Sequence, residues 1–221
     1  MITVIYFWKI SKSNVPWALL HMGLDRLPLR RNKKIGFWKL LGTGKGETFT
    51  PKDANSQRWG LLVTILESDL ASFNNSKLVK RWDNKSSKRY QVVLKNIAVQ
   101  GKWSSKSPFL PELFETPWNR KVVAITRARI KWHKNPIFWR SVPPVTVSLK
   151  EANGLISAIG IGEAPIGLQG TFSIWESPAA IRTFAYQGAA HKAAIAATAR
   201  EKWYAEELFA RFAVIDESGS L

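Results

Sequence analysis

The sequence predicts an α+β fold: two ferredoxin-like βαββαβ units in tandem, meeting sheet to sheet as a pseudo-dimeric α+β barrel. Three observations predict it. Runs rich in β-branched and aromatic residues alternate with helical runs in the order strand, helix, strand, strand, helix, strand, and that order occurs twice. The second half can be laid on the first. Between them lies a stretch, Gly101–Arg120, that carries Pro108, Pro111 and Pro117 and reads as an irregular connector.

In the first half, strands are expected near Thr3–Lys9, Ile35–Leu41, Gly60–Glu67 and Tyr90–Val99, with helices near Pro16–Asp25 and Asp69–Lys80. In the second half, strands fall near Val122–Lys131, Gly154–Ile161, Gly170–Glu176 and Glu207–Val214. Helices there read as Pro136–Leu149, Pro178–Tyr186 and Ala189–Lys202. Proline at a helix start sets a helical φ where the missing N–H costs nothing, and Ser177 before Pro178 is a natural N-cap. The resulting plan is an N-terminal half over 1–100, a connector over 101–120, a cofactor-binding half over 121–215, and a frayed tail over 216–221.

The repeat is short and gapped. LLGTGKGETF (40–49) resembles AIGIGEAPIG (158–167), matching Gly42 to Gly160 and Gly44 to Gly162. LLVTILESDLASF (61–73) parallels TFSIWESPAAIRTF (171–184), with Glu67-Ser68 on Glu176-Ser177. IYFWKI before Pro16-Trp17 parallels TRARIK before Pro136.

A chain of 221 residues can bury about 70% of its unfolded surface, so a full core is available. Its 11 Trp and hydrophobic fraction of 45% argue against extensive disorder. The absence of cysteine excludes disulfides, thiolate-ligated haem, iron–sulfur clusters on cysteine and cysteine nucleophiles, and is compatible with a reducing cytoplasm. No segment approaches the roughly 20 apolar residues that span a bilayer, and MITVIYFWKI reads as a first strand, not a signal peptide. The formal charge of +17 implies attraction to something acidic.

Several familiar chemistries lack their motifs. Gly42–Gly46 has neither the Lys-Ser/Thr ending of a phosphate loop nor a helix after it, and the presence of a twin in the second half argues that the run is a structural turn after a strand. Asp25–Lys34 and Lys77–Tyr90 mix basic residues with aromatics, but no recognition helix can be placed, so a solvated basic face or contact with an anionic membrane surface is favoured over nucleic acid. No His-x-x-His or His-Glu-x-x-His spacing supports zinc, and Gly-x-Ser-x-Gly is absent.

Three histidines remain: His21 on a short apolar helix, His133 in a loop after a strand, and His191 near the start of an alanine-rich helix. Ala194 and Ile195 stand one turn beyond His191, on the same helix face. That histidine therefore overlooks a low, smooth surface against which a flat macrocycle could lie.

Ordered blocks in the second half carry a family resemblance. They are Thr126-Arg127-Ala128, Phe138–Pro143, Gly160–Pro165, Thr171–Trp175, Phe184-Ala185-Tyr186, Ala190–Ile195 and Trp203–Phe212. Over about residues 120 to 213 the chain resembles the acyclic carotenoid 2-ketolases, the spheroidene monooxygenases. The first half matches more loosely, at the opening strand and Gly42–Gly46.

The resemblance implies an oxidoreductase that uses haem b to insert oxygen from O2 into a long apolar polyene, with electrons from an external donor. Apart from it, the missing cysteine and the basic face set the expectation of a cytoplasmic protein in contact with membrane, and a homo-oligomer is expected. The resemblance also implies a dimeric α+β barrel in which a helix histidine of the C-terminal half binds the iron. That role lands on His191, with Ala194 and Ile195 against the macrocycle. Arg127 and Arg140 are the candidates to hold a haem propionate or steer bound oxygen, since a guanidinium stays charged and donates hydrogen bonds. Trp139, Phe172, Trp175 and Phe184 could shape an apolar pocket, although aromatics also fill ordinary cores. Two alternatives stay open: a haem enzyme without oxygen insertion, such as a dehydratase or peroxidase, and a non-catalytic protein binding haem, lipid or nucleic acid.

Overall fold

In the computed structural model, residues 1–45, 53–134, 148–149, 151–163, 170–187, 200–201 and 203–221 are described. Eight strands form one closed barrel in the order β1-β3-β2-β6-β7-β5-β8-β4. They are β1 (Ile2–Ile10), β2 (Phe37–Gly44), β3 (Ala54–Ile65) and β4 (Ser86–Gly101) of the first half, and β5 (Val122–Ile130), β6 (Leu155–Gly162), β7 (Gly170–Trp175) and β8 (Tyr204–Gly219) of the second. Each half contributes the ferredoxin-like order 4-1-3-2. Closure removes all free sheet edges, because β2 pairs antiparallel with β6 and β4 with β8.

The expected strands are all present, and alternation explains why they were readable. Along β5, Val123 and Ile125 face the barrel interior while Val122 and Ala124 face outward. The interior is filled by both halves: Phe7 meets Phe172 edge to face at 5.1 Å, and Phe109 of the connector meets Phe212 at 4.9 Å. On the outside of the first half, α1 (Val15–Leu24), α2 (Arg26–Arg31), α3 (Leu70–Asn74) and α4 (Lys77–Lys85) cover Tyr6, Trp8, Trp59 and Leu61. On the outside of the second half, α5 (Pro178–Gln187) lies against Trp175.

Four expectations need correction. The single helix Asp69–Lys80 is two, α3 and α4, because Ser76 caps a new start by accepting from the Val79 N–H at 3.3 Å. Gly42 and Gly44 do not form a turn; they belong to β2, where the strand runs on to pair with β6. The matching of Gly42 to Gly160 is two residues out of register. The ladders set Gly42 directly opposite Gly162, so the local twofold axis passes between these two glycines. The tail does not fray after Asp216, since Asp216 to Gly219 extend β8 along β4 and are held by its hydrogen bonds. The expected N-cap holds: Ser177 Oγ accepts from the Ala180 N–H at 3.2 Å. The expected helix Ala189–Lys202 and most of Pro136–Leu149 lie outside the described residues.

Candidate functional site

The outer faces of the two half-sheets are built on the same ladders but carry different side chains. Directly opposed residues of antiparallel strands share a face. In the first half, one row across the sheet reads Trp38, Val63, Val4, Val93, and the next reads Leu40, Leu61, Tyr6, Gln91. The corresponding rows of the second half read Ala158, Ser173, Ala124, Arg211 and Gly160, Thr171, Thr126, Phe209. The first-half rows are packed with large side chains under the helices. Three strands of the second half carry only Gly, Ala, Ser and Thr at those places.

Strands about 4.8 Å apart make this a platform roughly 10 Å wide. Thr126 on β5, at its edge toward β8, is exposed, as is Phe209 beside it, whereas Ala124 and Ser173 are buried. Ser173 Oγ is engaged within the sheet, accepting from Trp175 Nε1 at 2.9 Å. Arg211 and Phe209 on β8 border the platform. Its signal in the sequence is faint, because two small residues in a strand mean little until the ladder shows them side by side.

Of the predicted site residues, His191, Arg140, Ala194 and Ile195 lie outside the described residues, as does Trp139. Arg127 is described, and it sits on the other side of the sheet. Its side chain points with Val123 and Ile125 toward the barrel interior, 8% exposed. One guanidinium nitrogen donates to Glu163 at 2.8 Å and the other to Glu206, and the group lies 5.6 Å from the Trp103 ring centre.

These contacts form a charged plug at one end of the barrel. Glu163 also accepts from Lys39 of β2 and from Trp103 Nε1 at 2.6 Å. Glu206 accepts the backbone N–H groups of Ser104 and Ser105 at 3.0 and 2.6 Å. Burial pushes both carboxyls up, but for Glu163 the hydrogen bonds from Lys39 and Trp103 and the nearby cations outweigh it. For Glu206 the Ser105 and Ser104 amides and then Arg127 do so; both carboxyls end below the ordinary range. The plug ties together β2, the connector, β5, β6 and β8.

Of the remaining candidates, the described aromatics and His21 are core. Phe172 is fully buried inside the barrel, and Trp175 packs on Phe184 at 5.3 Å beneath α5. His21 is buried in the first half, its Nδ1 3.1 Å from Asp25 Oδ1 and its ring 4.3 Å from that of Trp17. His133 stands in the short helical turn after β5. Among the described residues no group of three or more His, Asp or Glu is placed to hold a metal ion. No described helix is long and apolar enough to cross a membrane.

Comparison with known proteins agrees with the fold and adds kinship. The chain is 38% identical over 211 residues to a spheroidene monooxygenase of Rhodobacter capsulatus, covering 94% of this chain and 87% of that one. It is 34% identical to the spheroidene monooxygenase of Cereibacter sphaeroides over 92% of this chain, spanning 63% of that relative's length. Identity to the Rubrivivax gelatinosus spheroidene monooxygenase is 32%, over 83% and 70% of the two chains. No sequence-family model matches. Among solved structures, an aldoxime dehydratase in complex with butyraldoxime superposes with a TM-score of 0.61 at 10% identity, over 97% of this chain and 79% of that one. A second aldoxime dehydratase structure gives 0.59 at 9% identity, over 97% and 81%. At such identities the likeness is one of fold.

Proposed function

The chain belongs to the spheroidene monooxygenase family and is a monooxygenase; on that premise we propose that it holds haem b against the small-residue platform and oxidises an acyclic carotenoid with O2 and electrons from an external donor. The observation that carries this reading is the contrast between the two half-sheets. Where the first half fills its rows with Trp38, Leu40, Leu61 and Tyr6, the second offers Ala158, Gly160, Thr171 and Thr126. A flat, largely apolar macrocycle suits a sheet face whose side chains are that small. Side chains no longer than threonine let a planar ring approach the strands.

The proximal nitrogen in this reading is His191. Of the other two histidines, His21 is engaged by Asp25 and Trp17 within the first half's outer core. Haem, when bound, supplies the activation of O2 needed to oxidise an unactivated C–H bond. The protein's part is binding, orientation and dryness. Thr126 and Thr171 would underlie the ring, Phe209 presents an apolar flank for a polyene, and Arg211 stands where a propionate would find a cation. Arg127 keeps a positioning role: with both ends of its guanidinium on carboxylates, it braces β5, which carries Ala124, Thr126 and Ala128 on its other face. Arg140 remains a candidate for the oxygen-facing side.

Purified protein loaded with haem tests the proposal. The expected result is a Soret band, lost in His191→Ala and weakened by Thr126→Tyr, which restores the side chain that the first half carries in that row. Conversion of spheroidene should require both O2 and reductant. A Soret band unchanged in both variants would remove the platform and its ligand from the mechanism, and turnover of spheroidene by haem-free protein would remove haem altogether.

A further inference from the structure

Helix α1 is apolar on its outer face as well as on its inner one. Its solvent-facing positions are Pro16, Leu19, Leu20, Gly23 and Leu24, and the series continues at Leu27 in α2, at the three- and four-residue steps of one helix face. The exposed leucines are 46%, 59%, 55% and 53% accessible in chain order. Its inward positions Val15, Trp17, Ala18 and Met22 pack on the outer core, with His21 and the C-terminal Asp25 buried beside them, so α1 is apolar on its solvent face as well. The buried polar pair is satisfied from below. Asp25, 1% exposed, accepts from Trp82 Nε1 at 2.7 Å and from Arg81, both on α4.

A rim of cations borders the leucines. Arg26, Arg30 and Arg31 of α2 and Lys33 after it are exposed, and none forms an ion pair with a described residue. The stretch from Lys12 to Leu24 holds no acidic side chain, and Asp25, which follows it, is buried.

We infer that the α1–α2 face is a docking surface for an anionic lipid bilayer. Four leucines in a row with arginines at the side are the arrangement that seats an amphipathic helix at the headgroup boundary, apolar side chains in the acyl region and guanidinium groups on phosphates. The chain's net charge of +17 favours an anionic surface and opposes self-association through this cationic rim. The inference goes beyond the haem reading and does not depend on it, since docking needs neither cofactor nor turnover. A bilayer is also where an apolar polyene dissolves.

Co-sedimentation of the full chain with vesicles tests it, using phosphatidylcholine alone and phosphatidylcholine mixed with phosphatidylglycerol. Binding is expected to the mixed vesicles and to weaken as salt rises. L20Q/L24Q/L27Q, with an unchanged circular dichroism spectrum, should bind about tenfold or more weakly. R26Q/R30Q/R31Q should lose the preference for anionic over neutral vesicles. Because the chain has no cysteine, Leu20→Cys takes a single environment-sensitive dye whose emission should shift to the blue on mixed vesicles only. Undiminished binding by the leucine variant, an unshifted dye, or failure of the parent protein to bind would each overturn the inference. So would a dimer on gel filtration that the leucine variant disperses, which would make this face a contact between copies.

Discussion

Gly101 and Gly219 terminate opposite ends of the β4·β8 ladder in the same way. Each adopts a positive φ, 88° and 80°, and each packs on a carbonyl of the other strand. A Cβ on Gly101 would lie 2.1 Å from the Glu207 oxygen, and one on Gly219 would lie 1.9 Å from the Arg89 oxygen. Gly101 faces Leu208 and Gly219 faces Tyr90. Between these ends the ladder is interrupted twice, at Ile97 on β4 and Ile215 on β8. The two halves thus meet about a local twofold axis, with one glycine from each closing the seam.

This predicts a sharp contrast among glycine substitutions. Gly101→Ala and Gly219→Ala should each destabilise the protein by about 1–3 kcal/mol or more, since alanine is strained at positive φ and meets backbone that cannot move aside. Gly23→Ala on α1 meets nothing within 4 Å and should stabilise by about 0.4–1 kcal/mol. Urea unfolding of the three variants checks the ranking.

The plug around Arg127 should behave as a brace and not as a reacting group. Arg127→Met strands Glu163 and Glu206 together at the barrel end, and a loss of about 2–4 kcal/mol is expected, below that of a fully dry pair because Glu163 is a third exposed. In protein that remains folded, the Soret maximum should keep its position. A displaced maximum would show that Arg127 reaches the cofactor.

The same carboxyls set an acid limit. Their folded pKa values lie below the ordinary 4.5, so they stabilise the fold at neutral pH. That contribution fades as pH falls through 4.5 and on through the lowered folded values. Unfolding midpoints should fall steeply below about pH 4.5, and less steeply in E163Q/E206Q. On the alkaline side, burial and then the hydrogen bond to Glu217 raise the Tyr90 phenol, which donates to Glu217 at 2.8 Å. The fold therefore favours neutral Tyr90 and should lose stability as pH rises past 10, where the unfolded phenol ionises. Tyr90→Phe should blunt that loss.

Asp25 anchors the C-terminal end of α1. Asp25→Ala leaves the buried Trp82 N–H without its acceptor and Arg81 without its carboxylate, and should cost about 2–4 kcal/mol. Lys34→Ala removes the exposed pair with Asp69 and should change stability by about 0.5 kcal/mol or less. Thermal melts of both variants separate the two cases.

The strands were legible because alternating side chains report a sheet with one face inward, and β1, β5 and β7 fall within a residue or two of where the pattern put them. The break between α3 and α4 has a short local signal, the run Asn74-Asn75-Ser76, whose side chains favour turns and caps, and it is easily passed over between two helical stretches. The persistence of β8 to Gly219 was invisible locally. DESGS is polar and glycine-bearing, and it becomes strand because β4 supplies partners for its backbone. Arg127 was visible as a cation on a strand. Its partners lie 36 and 79 residues away in the chain, so its commitment to Glu163 and Glu206 was not.

By itself the sequence determined the element order, the tandem halves, the positive charge and the family resemblance, all of which rest on neighbouring residues or on short ordered blocks. Tertiary structure alone decided the register that sets Gly42 on Gly162, the side of the sheet on which Arg127 lies, the joining of Ala158, Ser173 and Ala124 into one row, and the outward turn of the α1 leucines. The reason is common to all four. A side chain's face and neighbours depend on how strands pair and helices roll, and pairing is a property of residues far apart in the chain.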